Sequence, residues 1–136
     1  MTLRLYEIAD TSFLRDPELR NRAAKTPFGG HSVLYALRDG AEEVGFLVLD
    51  EGGGELEFYS LWISRQLRGR GHGRNALALV LERALEQGYS SIVLRPVPLD
   101  DDWDEKRLRS FYCLAGYTED PEDPSLMRLS FEDDAP

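Results

Sequence analysis

The sequence predicts an α/β fold: one mixed, largely antiparallel sheet flanked by helices. Three observations lead there. Three apolar stretches, residues 31–38, 42–49 and 55–63, follow one another across short turns, the pattern of an antiparallel meander. The aliphatic run at 74–87 has helical length and precedes the strand-like "SSIVLRPV" (90–97), the order expected of a helical crossover. The 136 residues also show no internal repeat and no shift in composition, so residues 1–131 read as a single domain with an acidic, disordered tail at 132–136.

Each element has its own signal. Alternation in "LRLYEIA" (3–9) gives a first strand. In "DPELRNRAAK" (16–25), Asp16 stands as N-cap and Pro17 at the first helical position, so a short helix is expected before "TPFGG" breaks it. Asp39-Gly40 is a two-residue hairpin signal between the strands 31–38 and 42–49. "DEGGG" turns the chain into a third meander strand, 55–63. A helix over 74–87 ends at Gly88, the position after a C-cap where a left-handed residue is needed. After the strand at 90–97, Asp104 caps a helix reaching Ala115 and stopping at Gly116. The polar "TEDPEDP" then reads as a loop before a last strand, 125–131.

Composition excludes several classes of function. Hydrophobic residues make up 42% and charged residues 30%, the mix of a chain that folds on its own. A net charge of −9 opposes general binding to nucleic-acid backbones, which requires a positive field. Positive charge is nonetheless locally dense at Arg65, Arg68, Arg70 and Arg74. No apolar run approaches the roughly 18 residues of a membrane span, and the N-terminal "MTLRLYEIAD" lacks the apolar core of a secretion signal. With a lone Cys113, read as a small core residue, these features point to a cytoplasmic protein. Glu55, Glu57 and Asp100–Asp102 have no histidine or cysteine at metal-ligand spacing, so no metal is expected.

The chemistry concentrates in "RGRGHG", residues 68–73, between a strand end and a helix start. The first amides of a helix lack intrahelical partners, and the helix dipole adds positive character there. Glycines at 69, 71 and 73 let those amides converge without a Cβ in the way, which suits a phosphate or pyrophosphate. The nucleotide-triphosphate loop requires a Lys-Ser/Thr pair that does not follow here. The dinucleotide fingerprint requires G-x-G-x-x-G and an acid about 20 residues on, and neither is present.

The pattern that fits is Q/R-x-x-G-x-G/A, met by Arg68-Gly69-Arg70-Gly71-His72-Gly73. It resembles the pyrophosphate loop of the GNAT superfamily of acyl-coenzyme-A-dependent N-acyltransferases. Upstream, "LWISRQLRGRGHG" is similar to the family's strand-then-loop pattern, and downstream "SFYCLAGY" (110–117) is similar to its F-Y-x-x-x-G-F/Y helix end. The resemblance implies a GNAT-like sheet splayed between its fourth and fifth strands, with acetyl-CoA entering the wedge. It implies that Leu61, Trp62 and Ile63 offer backbone groups to the coenzyme arm. The pyrophosphate would be held by Arg68, Gly69, Arg70, Gly71, His72, Gly73 and Arg74, with His72 contributing its backbone. Tyr112 matches the tyrosine that serves the departing thiolate, and Glu57 a strand position where some members carry the general base. Where many members have an asparagine about seven residues before that tyrosine, this chain has Glu105, an acid unfavourable beside a phosphorylated coenzyme unless it points away, a departure that counts against coenzyme contacts from 104–108 but not against the loop.

The activity implied is direct acetyl transfer from acetyl-CoA to a primary amine, on a small cationic molecule or a protein. The acidic stretches 100–105 and 118–123 would rim the acceptor site and attract a cationic acceptor. The runner-up reading is a coenzyme-A-binding regulatory module without catalysis. A short front helical region and exposed sheet edges point to a homodimer; nucleic acid and membrane are not expected partners.

Overall fold

The computed structural model describes residues 3–25, 32–96 and 104–130. In chain order the elements are β1 (Leu3–Ile8), α1 (Pro17–Ala24), β2 (Ser32–Asp39), β3 (Glu42–Asp50), β4 (Leu56–Ile63), α2 (His72–Glu86), β5 (Ser91–Leu94), α3 (Glu105–Leu114), β6 (Thr118–Glu119) and β7 (Met127–Ser130). Single 3-10 turns at Thr11–Phe13 and Arg65–Leu67 precede α1 and α2. One sheet carries all the strands in the order β1-β2-β3-β4-β5-β7-β6. Every neighbouring pair is antiparallel except β4 with β5, which are parallel and joined by the α2 crossover.

The caps fall where the sequence puts them. The Asp16 side chain accepts from the Glu18 amide at the start of α1, and that of Asp104 from the Arg107 amide at the start of α3. Gly88 and Gly116, at φ +82 and +100, end α2 and α3 in the left-handed region. The hairpin turn is displaced by one residue: Asp39 pairs with Glu42, leaving Gly40 and Ala41 as the loop.

Other departures have clear causes. β5 is shorter than 90–97, because it stops at Leu94 where its partner β7 begins at Met127. Within "TEDPEDP", Thr118 and Glu119 form β6 against Arg128 and Met127, and Asp120 accepts from the Glu122 and Asp123 amides to make the turn. Cys113 is exposed rather than in the core. α3 presents its neighbour Tyr112 to the interior, and the next residue lies about 100° round the helix. Residues 100–103 and the tail 132–136 lie outside the described residues.

Two apolar layers sandwich the sheet. On one face α2 and α3 pack over Leu37, Leu47, Leu49, Leu56, Phe58 and Met127; on the other, α1 packs over Leu34, Ala36, Phe46, Val48 and Trp62. β4 serves both, because a bulge at Tyr59 changes its phase: Val48 pairs with Ser60 but Leu49 with Phe58. Before the bulge Leu56 and Phe58 face α2; after it Leu61 and Ile63 do, and Trp62 turns toward α1.

The sheet parts after Phe58. β5 pairs with β4 only from Leu56–Ile92 to Phe58–Leu94, while β4 runs on to Ile63. A wedge therefore opens beside residues 59–63, immediately before the glycine-arginine loop. Ion-pair clamps brace the surroundings. Arg83 of α2 and the Tyr35 hydroxyl both meet the Glu51 carboxylate. Arg128 of β7 grips Glu55 at 2.7 and 3.1 Å and also meets Asp120.

Candidate active site

Glycine is required in the loop for two different reasons. Gly69 and Gly71 sit at φ +82 and +86, where an L side chain is strained, and a Cβ on either would enter open space. Gly73 has an ordinary φ, but its Cβ would lie 3.2 Å from Phe111 Cζ, so its small size lets α2 approach α3. Gly71 is the N-cap of α2 and supplies no capping side chain. The first-turn amides of a 15-residue helix thus face outward beside two exposed glycines. That cradle fits an anionic pyrophosphate, with the exposed Arg70 and Arg74 flanking it. The His72 side chain is buried, leaving its backbone to the loop.

The Arg68 side chain folds back on the end of β4. Its Nε donates to the Ile63 carbonyl at 3.0 Å, and its guanidinium lies 4.5 Å from the Trp62 ring centre. It ties the loop back to the strand end.

The backbone of β4 divides by alternation. The Ser64 amide donates to the Val44 carbonyl of β3 at 2.8 Å, and the Trp62 carbonyl lies against Gly45, where an added Cβ would be 2.1 Å away. Trp62 and Ser64 therefore turn their backbone groups to β3. Leu61 and Ile63 turn theirs into the wedge. With the Ile63 carbonyl taken by Arg68, the wedge is lined by the Ile63 amide and both backbone groups of Leu61. Trp62 contributes a side chain to the opposite face instead.

Tyr112 and Glu57 flank β4 at the point where the strands part. Tyr112 is buried, with its ring 6.1 Å from Phe58, 5.3 Å from Phe111 and 5.7 Å from Tyr117. Burial drives its phenol well above the usual tyrosine range, so it keeps its proton at neutral pH. Glu57 is exposed and alternates to the other face from Phe58. It hydrogen-bonds Tyr59, whose hydroxyl is also 3.3 Å from Asp50; these carboxylates push the Tyr59 phenol up to about 12, chiefly through the Glu57 bond. Glu105 is exposed and accepts from Arg109 at 2.9 Å, so its carboxylate is engaged along α3.

Several groups escaped the reading of motifs. Arg22 of α1 and Arg65 join Arg68 around Trp62, with guanidinium carbons 4.4 and 5.8 Å from the ring centre. The buried Trp62 Nε1–H has no partner among the described residues. Leaving such a donor unmet costs about 1–3 kcal/mol. Nothing in a linear sequence links residue 22 to residue 62. Of the acids in 118–123, expected as a cation-attracting rim, Glu119 meets Arg109, Asp120 meets Arg128 and Asp123 meets Ser125, while Glu122 is exposed. Among the described residues, no three His, Cys, Asp or Glu side chains gather as a metal site, and no helix is long and apolar enough to cross a membrane.

Residues 2–120 match the Acetyltransferase (GNAT) family. The fold is similar to that of several solved proteins. The anti-CRISPR protein AcrVA5 superposes with a TM-score of 0.61 at 24% identity, over 73% of this chain and 98% of the other. The ribosomal-protein-S18-alanine N-acetyltransferase from Escherichia coli superposes with a TM-score of 0.70 at 12% identity, over 98% and 97%. A GNAT family acetyltransferase from Elizabethkingia anophelis, solved with acetyl-CoA bound, gives 0.64 at 13% identity, over 94% and 97%. Comparison with curated protein sequences gives no match.

Proposed function

The chain belongs to the GNAT acetyltransferase family, and from that premise we propose that it moves the acetyl group of acetyl-CoA directly to a primary amine. The observation that carries this reading is the continuity of two features: a wedge beside residues 59–63 of β4, and the open amide cradle at Gly69–Gly73 that follows it. A linear ligand with an anionic middle and a thioester end fits that path. The coenzyme supplies the activated carbonyl.

The chain supplies the rest. The cradle amides of residues 69–74, with the Arg70 and Arg74 side chains, hold the pyrophosphate. The Leu61 groups and the Ile63 amide pair with the coenzyme arm as an added strand would, and one of these amides faces the carbonyl oxygen as charge develops on it. Arg68 is a positioning residue, fixing the loop against Ile63. An amine acceptor must first lose a proton, because its ammonium form, with a pKa of about 10.4 for lysine, has no free electron pair. Glu57, directly or through a water, takes that proton. Tyr112 donates a hydrogen bond toward the departing thiolate. Its raised pKa lies above the roughly 8.5 of an ordinary thiol, so it stabilises the thiolate more readily than it surrenders a proton outright.

Two measurements test the reading. Titration with coenzyme A should show saturable binding that Gly71→Asp abolishes, since the carboxylate would enter the cradle; no binding by the wild type would refute the proposal. In steady-state kinetics with acetyl-CoA and an accepted amine, Tyr112→Phe should lower kcat about 10²-fold with little change in coenzyme affinity. An unchanged kcat would remove Tyr112 from the reaction.

A further inference from the structure

The base side of the reaction carries a hydroxyl of its own. We propose that Tyr59 is a positioning residue for the proton transfer: its hydroxyl, shared between Glu57 and Asp50, holds Glu57 both before and after that side chain takes the proton of the amine. This rests on Glu57 as the base in the acetyl-transfer reading above, and adds the two groups that keep it in place.

Asp50 of β3 and Glu57 of β4 stand directly opposite one another in the sheet. Like charges so placed destabilise a strand pair. The bulge brings a proton donor to them. Val48 pairs with Ser60 and Leu49 with Phe58, so Tyr59 is the extra residue of β4. Its hydroxyl lies 3.3 Å from Asp50 Oδ2 and hydrogen-bonds Glu57 as well. Asp50 is itself held, its Oδ1 accepting from the Gly52 amide at 3.0 Å. A chain of contacts thus runs from the turn after β3 through Asp50 and Tyr59 to Glu57. Tyr59 is also the first residue of β4 beyond its last pairing with β5, Phe58–Leu94, so the chain ends where the strands part.

A phenol has one proton to donate and an oxygen that accepts. An ionised Glu57 can only accept, so the Tyr59 O–H donates to it. Proton transfer from the alkylammonium moves one proton from nitrogen to a Glu57 oxygen and leaves the nitrogen its electron pair. Glu57 then carries an O–H, which donates to the Tyr59 oxygen, while the Tyr59 O–H turns to Asp50, still an acceptor. One hydroxyl rotation follows the proton, and both states of Glu57 keep a partner. Tyr59 stays protonated throughout, because the Glu57 hydrogen bond, partial burial and the two carboxylate charges raise its phenol to about 12.

The test has two arms, and the first needs no substrate. In protein carrying tyrosine labelled with carbon-13 at Cζ, the Tyr59 resonance is the one lost in Tyr59→Phe. Between about pH 7 and about pH 3 it should move as the carboxylates beside it take protons, and Glu57→Gln and Asp50→Asn should each remove part of that movement. A resonance that stays still, or moves alike in Glu57→Gln, overturns the proposal. The second arm reads kcat and KM with acetyl-CoA and the best acetylated of putrescine, β-alanine and a lysine-containing peptide. Tyr59 is 41% exposed, so Tyr59→Phe removes the hydroxyl and spares the core. That variant should lower kcat about fivefold with both KM values unchanged. Asp50→Ala should lose activity similarly, and Asp50→Asn, which still accepts, should recover most of it. Because Tyr59 acts through Glu57, the double variant Glu57→Gln/Tyr59→Phe should be no slower than Glu57→Gln alone. Losses that multiply, or a normal kcat in Tyr59→Phe while Glu57→Gln is slow, overturn the proposal alone. Normal turnover by Glu57→Gln would instead refute Glu57 as the base, and the proposal with it.

Discussion

At the scale of single residues, the same amino acid does different work at positions two apart. Gly71 is needed for its left-handed backbone and Gly73 for its lack of a side chain against Phe111. Gly71→Ala should cost about 1–2 kcal/mol of folding stability from backbone strain and loosen coenzyme binding in the same step. Gly73→Ala should instead displace the Phe111 ring by a few tenths of an ångström, changing turnover through the adjacent Tyr112 more than the pyrophosphate contact. Denaturant titration beside coenzyme A titration separates the two effects. The motif showed that glycines were wanted at 69, 71 and 73. It could not say why, because φ and the distance to Phe111 are properties of a packed loop. Arg68 and Trp62 make the same point: the motif marks their positions, and packing turns one side chain to Ile63 and the other to the far face of β4.

At the scale of elements, the strands and helices were legible because each depends on local patterning and capping. The junctions between them were not. The bulge at Tyr59 leaves no strong mark in "LEFYSLWI", yet it sets which residues after it face α2 and which face α1. β6 was hidden in an acidic, proline-containing stretch, and exists because β7 offers an edge and Arg128 gathers nearby acids. The Arg128 hydrogen bonds hold Glu55 below the ordinary carboxylate range. A depressed folded pKa contributes stability that is present above the unfolded value, near 4.5, and is lost as pH falls through the folded one. Arg128→Met should accordingly cost about 1 kcal/mol at pH 7, as befits a partly exposed bidentate pair, and the cost should shrink as pH falls below about 4. Urea unfolding at a series of pH values measures both.

For the whole molecule, the buried aromatic cluster where α3 meets the sheet governs behaviour at high pH. Tyr112 and Tyr117 are both raised by burial, and the Tyr117 hydroxyl has no partner among the described residues. In the unfolded chain both phenols ionise near 10. Below that pH neither state loses the proton and stability is unaffected; above it the unfolded chain ionises first, so stability falls as pH rises. Chemical denaturation should show a flat profile to about pH 9.5 and a decline beyond pH 10, smaller in Tyr117→Phe. Assembly is a second whole-molecule property. The sheet ends in β1 on one side and the two-residue β6 on the other, and pairing at an open edge is a direct route to the homodimer expected from the sequence. Sedimentation at two concentrations tests it, with a single monomer species excluding it.

The sequence by itself determined the element types, most of their caps, the glycines of the loop before α2 and the family to which the chain belongs. Those depend on residues near one another in the chain, where periodicity, turn chemistry and motif spacing act directly. Only the tertiary structure decided that β4 and β5 part after Phe58, that Leu61 and Ile63 rather than Trp62 line the wedge, and that Arg22 joins Arg65 and Arg68 across forty-odd positions of sequence. The physical reason is that strand phase, side-chain direction and long-range charge convergence are set by packing two layers on one sheet, and no local pattern encodes the partner that completes them.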